Sequence, residues 1–309
     1  MTAFSTPGPL WPEMRFLERG WLSANNIVFN QGQASVVDTG YCTQSAQTVA
    51  LVREALAGQP LAQIVNTHLH SDHCGGNAAL QAAWPQARTL IAPGQAAHVH
   101  DWNPEALSYT PTGQDCPRFR ADGVLAPGSE VLLGEHAWQV HAAPGHDPHS
   151  VVLFEPQRRL LISADALWQR GFGIVFPEIE GVQAFADVAA TLDVIERLQP
   201  DWVLPGHGPM FDDVAGALAV ARKRLADFVA DPLRHARYAA KVLLKYKFLE
   251  WQRASLQHAQ DWCAATSLMQ LLRERYFAQQ DSAAWTLALV QELIASNALR
   301  REEEWLVDV

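Results

Sequence analysis

The chain has 309 residues, 49% of them hydrophobic and 18% charged, a balance that excludes a disordered or fibrous protein. That length predicts one large α/β domain with a smaller appendage and an ample core. The net charge is -10, and residues 1–211 carry 10 Lys+Arg against 20 Asp+Glu while residues 212–309 carry 13 against 13, so the larger part repels phosphate backbones and nucleic acid is disfavoured as a partner.

The first 25 residues lack a basic stretch and a continuous apolar run, and no later segment reaches about 18 uncharged apolar residues, so neither a signal peptide nor a membrane span is expected. Cys42, Cys74, Cys116 and Cys263 form no CxxC pair, which points to a reducing cytoplasm and not to a disulfide framework. Short apolar runs predict strands at 26–30, 34–38, 63–67, 89–92, 130–133, 137–142, 150–155, 160–164 and 202–204. Helices are expected at 43–58, 75–84, 94–99 and 184–198, giving a layered α/β domain over 1–211. The adjacent runs 137–142 and 150–155 predict antiparallel pairing within a mixed sheet. Residues 100–123 and 169–181 lack periodicity and read as lid or binding loops. Beyond Phe211 the pattern turns helical, at 212–231, 233–253, 268–279 and 283–296, and ends in a two-stranded wing at 298–300 and 304–307. A mainly helical, winged-helix-like domain over 212–309 is the expectation.

The informative segment is Ile64-Val-Asn-Thr-His-Leu-His-Ser-Asp-His-Cys-Gly-Gly-Asn77, where a strand runs into His68, His70, Asp72 and His73. With this composition an HxHxDH pattern arises by chance in roughly one such chain in a thousand. At a strand end His68 and His70 point the same way and can grip one metal, while Asp72 and His73, past the turn, can reach a second. Imidazole and carboxylate together suit zinc, with iron or manganese as replacements. Three more ligand types follow other strands: His146 in Ala-Pro-Gly-His-Asp, Asp165 in Leu-Leu-Ile-Ser-Ala-Asp and His207 in Leu-Pro-Gly-His-Gly.

HxHxDH followed by a His, an Asp and a last His resembles the metallo-β-lactamase superfamily, over roughly residues 14–211. The resemblance implies a four-layer αββα sandwich with two Zn2+ at one edge: His68, His70 and His146 on the first, Asp72, His73 and His207 on the second, Asp165 bridging. It also implies that Asp38 orients ligand histidines through hydrogen bonds. Metal-bound water has a pKa near 7, so a bridging hydroxide is available at neutral pH, and Asp72 is the expected group to orient it and pass its proton to the leaving atom. His149, three residues after His146, is a candidate substrate contact; Cys74 is expected to pack as a small hydrophobe. His98, His100, His136, His141, His235 and His258 fall outside the motifs and read as surface or hydrogen-bonded residues.

Relatives of that superfamily separate by residue. True β-lactamases are exported and usually carry Cys or Ser where Asp165 stands; acyl-homoserine lactonases place a Tyr where this chain has Trp168; sulfur dioxygenases use one iron. Two readings remain, and a small-molecule substrate is the expectation. The first is a glyoxalase-II-like hydrolase of a carboxylic ester, thioester or lactone, with Trp102, Tyr109, Trp168, Phe172 and Phe176 as an apolar acyl pocket or simply as core. The second is a nuclease or phosphodiesterase, since Leu-Pro-Gly-His-Gly-Pro with a helical tail also resembles the β-lactamase-like protein 2 group, and Arg222–Arg253 holds nine Lys+Arg against three acids. The helix at 283–296 carries one Glu and no Lys or Arg, so the tail is expected to cover the site or make a homo-oligomer contact and not to read nucleic acid. A non-catalytic binding protein would not need the full ligand set.

Overall fold

The computed structural model describes residues 10–309; part of the N-terminal stretch read above lies outside them. A first sheet has the order β1 (Met14–Leu17), β2 (Asn26–Phe29), β3 (Ser35–Val37), β4 (Gln63–Val65), β5 (Arg88–Ile91), β6 (Gly123–Val124). Its first three strands are antiparallel neighbours, and β3 through β6 run parallel. Parallel neighbours need crossovers, and these hold α1 (Ser45–Ala55), α2 (Ser71–Cys74), α3 (Asn77–Ala83), α4 (Ala96–Asp101) and α5 (Tyr109–Thr112). The second sheet consists of β7 (Glu130–Leu133), β8 (His136–Ala142), β9 (Val151–Glu155), β10 (Leu160–Ala164) and β11 (Trp202–Pro205), in the order β11-β10-β9-β8-β7. Only β10 and β11 pair in parallel there, across α6 (Phe176–Glu180) and α7 (Phe185–Leu198).

Strand alternation explains the layers. Val37 and Val65 point inward to meet Trp138, Leu153 and Ile162 of the second sheet, while Val36 and Ile64, one residue away, meet Val52 of α1, Leu56 at its C-terminal cap and Leu80 of α3. On the far side Val152, Phe154, Leu161 and Val203 pack under α7 and α8 (Val214–Ala230). Each buried aliphatic contributes about 1.5–3 kcal/mol, so a one-residue slip of any of these strands would expose a full face. The result is the four-layer αββα sandwich. Although α8 lies beyond Phe211, its apolar face belongs to this sandwich.

A separate apolar cluster starts at α9 (Pro232–Trp251), whose first turn is capped by the Asp231 side chain and opened by Pro232. Then come β12 (Arg253–Ser255), α10 (Leu256–Ala265), α11 (Ser267–Tyr276), α12 (Ser282–Ala295), β13 (Leu299–Glu302) and β14 (Trp305–Asp308). Leu244, Phe248, Met269, Leu272, Trp285 and Leu289 form its centre. The wing is β13 and β14, which β12 extends to three strands in the order β12-β14-β13. Among the described residues no helix is long and apolar enough to cross a membrane.

Candidate metal centre

β4, β8, β10 and β11 all end at one edge of the sandwich, and each delivers a chain segment that turns sharply there. After β4, His68 and His70 precede α2, whose single turn carries Asp72 and His73. The helix expected at 75–84 starts at Asn77 because Gly75 and Gly76 lie against the loop after β3: a Cβ on Gly75 would stand 2.6 Å from the Cys42 nitrogen, and one on Gly76 would overlap the Thr39 carbonyl. That close approach lets the Thr39 N–H donate to the His73 carbonyl at 2.7 Å and fixes Asp38 beside the histidines. His146 follows β8, Asp165 follows β10, and His207 follows β11 after Gly206.

The seven side chains gather into two groups. His68, His70 and His146 form one, and Asp72, His73, Asp165 and His207 the other; within each, the ligating atoms lie within 4.8 Å of one another. In the first, His70 Nδ1 is 3.0 Å from His68 Nε2 and 2.8 Å from His146 Nε2. In the second, His207 Nε2 is 3.1 Å from Asp72 Oδ2, and His73 Nε2 is 3.4 Å from Asp165 Oδ1. The other Asp165 oxygen is 3.4 Å from His146 Nε2, so this one carboxylate reaches both groups.

Outward-facing acceptors turn the ring lone pairs inward. The His146 Nδ1–H donates to the Ile174 carbonyl at 2.6 Å, and the His73 Nδ1–H to Asp38 Oδ2 at 2.8 Å. Thr67 donates its hydroxyl and its N–H to Asp38, and His68 Nδ1 lies 3.2 Å from that hydroxyl oxygen. Asp147, adjacent to His146, stands 3.8 Å from His70 Nε2. With the outer nitrogens of His68, His73 and His146 engaged in this way, a metal would meet the inner nitrogen of each ring. His73 Nε2 is fully buried and without a hydrogen-bond partner, an arrangement that costs free energy unless a cation completes it.

The electrostatics divide the same way. Burial, and then the neighbouring imidazoles, hold His68 well below the ordinary histidine range and His70 at about 4, so these two are neutral donors. Burial also opposes charge on His73, but Asp165, Asp38 and Asp72 overcome it and push its pKa well above the usual value. The second group therefore demands positive charge at its centre. These observations fit two divalent cations, one per group.

The centre lies in a cavity of about 750 Å³ that His70, Asp72, His146, Asp165 and His207 line from below. Of the candidate substrate contacts, Trp168 lines it and donates its indole N–H to Asp165 Oδ1 at 3.1 Å. Phe176 lines it too, edge-on to His70 and His146 at 4.8 and 5.6 Å between centroids. Phe172 does not: it is 1% exposed and packs on Phe228 in the outer sandwich core. His149 is also outside the cavity, its ring lying against Gly94, since the turn after His146 carries it round to the other side. Trp102 and Tyr109 pack with each other and with Phe119, and Cys74 is buried with its sulfur 3.1 Å from the Tyr109 hydroxyl.

Some cavity residues have no local signal in the sequence. Trp21, on the loop before β2, stacks over the His207 ring at 5.3 Å and 4°. α9 supplies a whole wall, with Tyr238, Lys241, Val242, Lys245, Tyr246 and Leu249 at helical spacing. The tail therefore covers the cavity. The spacing i, i+4, i+8 of Tyr238, Val242 and Tyr246 is visible in the sequence, but the partner of that face is not.

Residues 19–207 match the family model described as the metallo-beta-lactamase superfamily. A hydroxyacylglutathione hydrolase from Anaeromyxobacter dehalogenans is 35% identical over 206 residues, covering 64% of this chain and 69% of the relative. The acyl-coenzyme A thioesterase MBLAC2 of Homo sapiens is 25% identical over 221 residues, covering 65% and 78%. A crystal structure of a beta-lactamase domain protein from Burkholderia ambifaria superposes with a TM-score of 0.59 at 22% identity, covering 97% of this chain and 94% of that one.

Proposed function

Since the chain belongs to the metallo-beta-lactamase superfamily and is a metallo-hydrolase, we propose that its substrate is an acyl thioester and that two zinc ions, held by the seven residues above, serve the reaction. The observation that carries this is the convergence of two ligand groups, sharing Asp165, at the floor of a cavity whose walls include Trp21, Trp168, Ile174, Phe176, Val242 and Leu249. That lining suits an acyl chain, each buried methylene of which contributes about 0.8 kcal/mol. A hydroxyacylglutathione hydrolase and an acyl-coenzyme A thioesterase among the relatives support the thioester class.

His68, His70 and His146 would hold the first metal and Asp72, His73 and His207 the second, with Asp165 between them. Bound there, the ions supply Lewis acidity and lower the pKa of water to about 7. The protein's own contributions are positional and protonic. Asp38 keeps the His73 proton on Nδ1; the Trp168 indole N–H fixes Asp165 so that its two oxygens face both groups. Phe176 and Trp21 keep bulk water from the imidazoles, which strengthens the local electrostatics. Asp72, 15% exposed and facing the cavity, is the carboxylate able to take a proton there and give it to the departing thiolate.

A panel of one acyl group presented as thioester, oxygen ester and lactone, together with bis-nitrophenyl phosphate, tests the reading on zinc-loaded protein. The thioester should give the highest kcat/KM. A phosphodiester turned over faster than every acyl substrate would overturn the proposal in favour of a phosphodiesterase.

A further inference from the structure

Next to the cavity, across Arg224 and Tyr238, lies a groove of about 430 Å³ between α8 and α9, and Arg224, Tyr238 and Lys241 line both. The charged lining of the groove is Lys223, Arg224, Arg234, Arg237 and Lys241 against Asp227 alone. Asp227 is shared by Lys223 at 3.0 Å and Arg234 at 3.3 Å, and Glu292 is shared by Arg237 and Lys241. Two carboxylates thus face five cations. Arg224 has no carboxylate partner among the described residues: it donates to the Phe172 carbonyl at 3.2 Å and lies over the Tyr238 ring at 5.6 Å. Its guanidinium sits where a Cβ of residue 171 would be, so Gly171, with φ +114°, is what admits it to the cavity mouth. Arg170 stands exposed at the same mouth.

This local reversal of sign contrasts with the net charge of -10. A polyanion is repelled by the net charge of the molecule and attracted by this groove. Arg234, Arg237 and Lys241 recur at i, i+3 and i+7 on one face of α9, a stripe roughly 10 Å long that leads from solvent toward the metal centre. Planar guanidinium groups match phosphate oxygens bidentately.

We propose that the groove is a subsite for the phosphates of the thiol carrier, so that the substrate class is an acyl thioester of a phosphate-bearing carrier such as coenzyme A. This rests on the thioester reading above and narrows it. Such a carrier brings about four negative charges from a phosphomonoester and a diphosphate, whereas the glutathione moiety brings about one. With its phosphates between Lys223, Arg234 and Arg237, the carrier's uncharged arm passes Tyr238 and Lys241, and the thioester reaches the floor of the cavity.

The test uses the same acyl group on coenzyme A, on pantetheine and on glutathione, with zinc-loaded wild type, Arg224→Gln, Lys241→Gln and the exposed Arg234→Glu. Alongside, calorimetric titration with adenosine 3′,5′-bisphosphate, which has no thiol to ligate a metal, reads the groove without turnover. The coenzyme A ester should exceed the pantetheine ester in kcat/KM at least tenfold at low salt. That ratio should fall about fivefold or more in each variant, and the bisphosphate should bind with a submillimolar Kd that weakens in the same variants and with added salt. Arg234→Glu, on the surface, keeps the test sound if a cavity variant fails to fold. Equal use of coenzyme A and pantetheine esters, or bisphosphate binding unchanged in the variants, overturns the subsite and leaves the thioester reading in place. Bisphosphate binding as expected with no thioester turned over overturns the thioester reading and leaves an anion site. A short single-stranded RNA that binds more tightly than the bisphosphate through the same cations overturns the proposal in favour of a nucleic-acid groove.

Discussion

Asp38→Asn isolates the role of a residue that is expected to touch no metal. The Asp38 carboxylate accepts from the Thr67 N–H at 2.9 Å, from the Thr67 hydroxyl at 2.8 Å and from His73 Nδ1 at 2.8 Å. Asparagine keeps the first of these but turns an amide N–H toward His73. The ring must then accept at Nδ1 and carry its proton on Nε2, the atom aimed at Asp72 and Asp165. Loss of a hydrogen bond of this kind behind a metal ligand typically costs 10–100-fold in affinity, about 1.4–2.7 kcal/mol. Asp38 has φ +54°, which Asn tolerates, so the backbone is undisturbed; Asp38→Ala would add about 1–2 kcal/mol of strain. Competition against a chromophoric zinc chelator should show one of the two equivalents weakened 10–100-fold in Asp38→Asn, and the same loss with a lower Tm in Asp38→Ala. Wild-type affinity for both equivalents in Asp38→Asn would refute the reasoning.

Asp72→Ala should lower kcat at least 10²-fold while the protein keeps about one metal on its three histidines, as measured by kinetics and elemental analysis. A Cβ on Gly206 would overlap Asp165 Oδ1 and stand 2.9 Å from His73 Cε1, so Gly206→Ala should fold yet lose metal at least tenfold in a chelator titration. His235, held at about 4 by burial, accepts from the Val175 N–H at 3.3 Å. Its folded pKa lies below the unfolded 6.5, so its stability contribution is full above pH 6.5 and is lost as pH falls toward 4. Denaturant unfolding should therefore show wild type losing about 3 kcal/mol more than His235→Gln over that interval.

How much of this was legible in the sequence depended on local pattern. Strand runs at 63–67, 137–142, 160–164 and 202–204 placed His68, His146, Asp165 and His207 at one edge, because each ligand directly follows a strand. Phe172 and Phe176 sit four residues apart in a stretch with no periodicity, and nothing local separates the one buried against Phe228 from the one over His70. The first strand, Met14–Leu17, and the two-residue β6 were too short to register against their neighbours. β12 and α10 also went unread: three residues, then a helix whose weak amphipathy merges with the preceding α9. Trp21 and the α9 wall escape for a different reason. Their contacts join segments far apart in the chain, and only the packed fold brings the loop before β2 and the helix after Asp231 to the same cavity.

The central claim is that two metal ions act together on a thioester, and titrating metal-stripped protein with zinc while recording thioester hydrolysis tests it most directly. Activity should rise to a break at two equivalents per chain, in line with the two ligand groups joined by Asp165. Full activity reached at one equivalent or fewer would contradict the account.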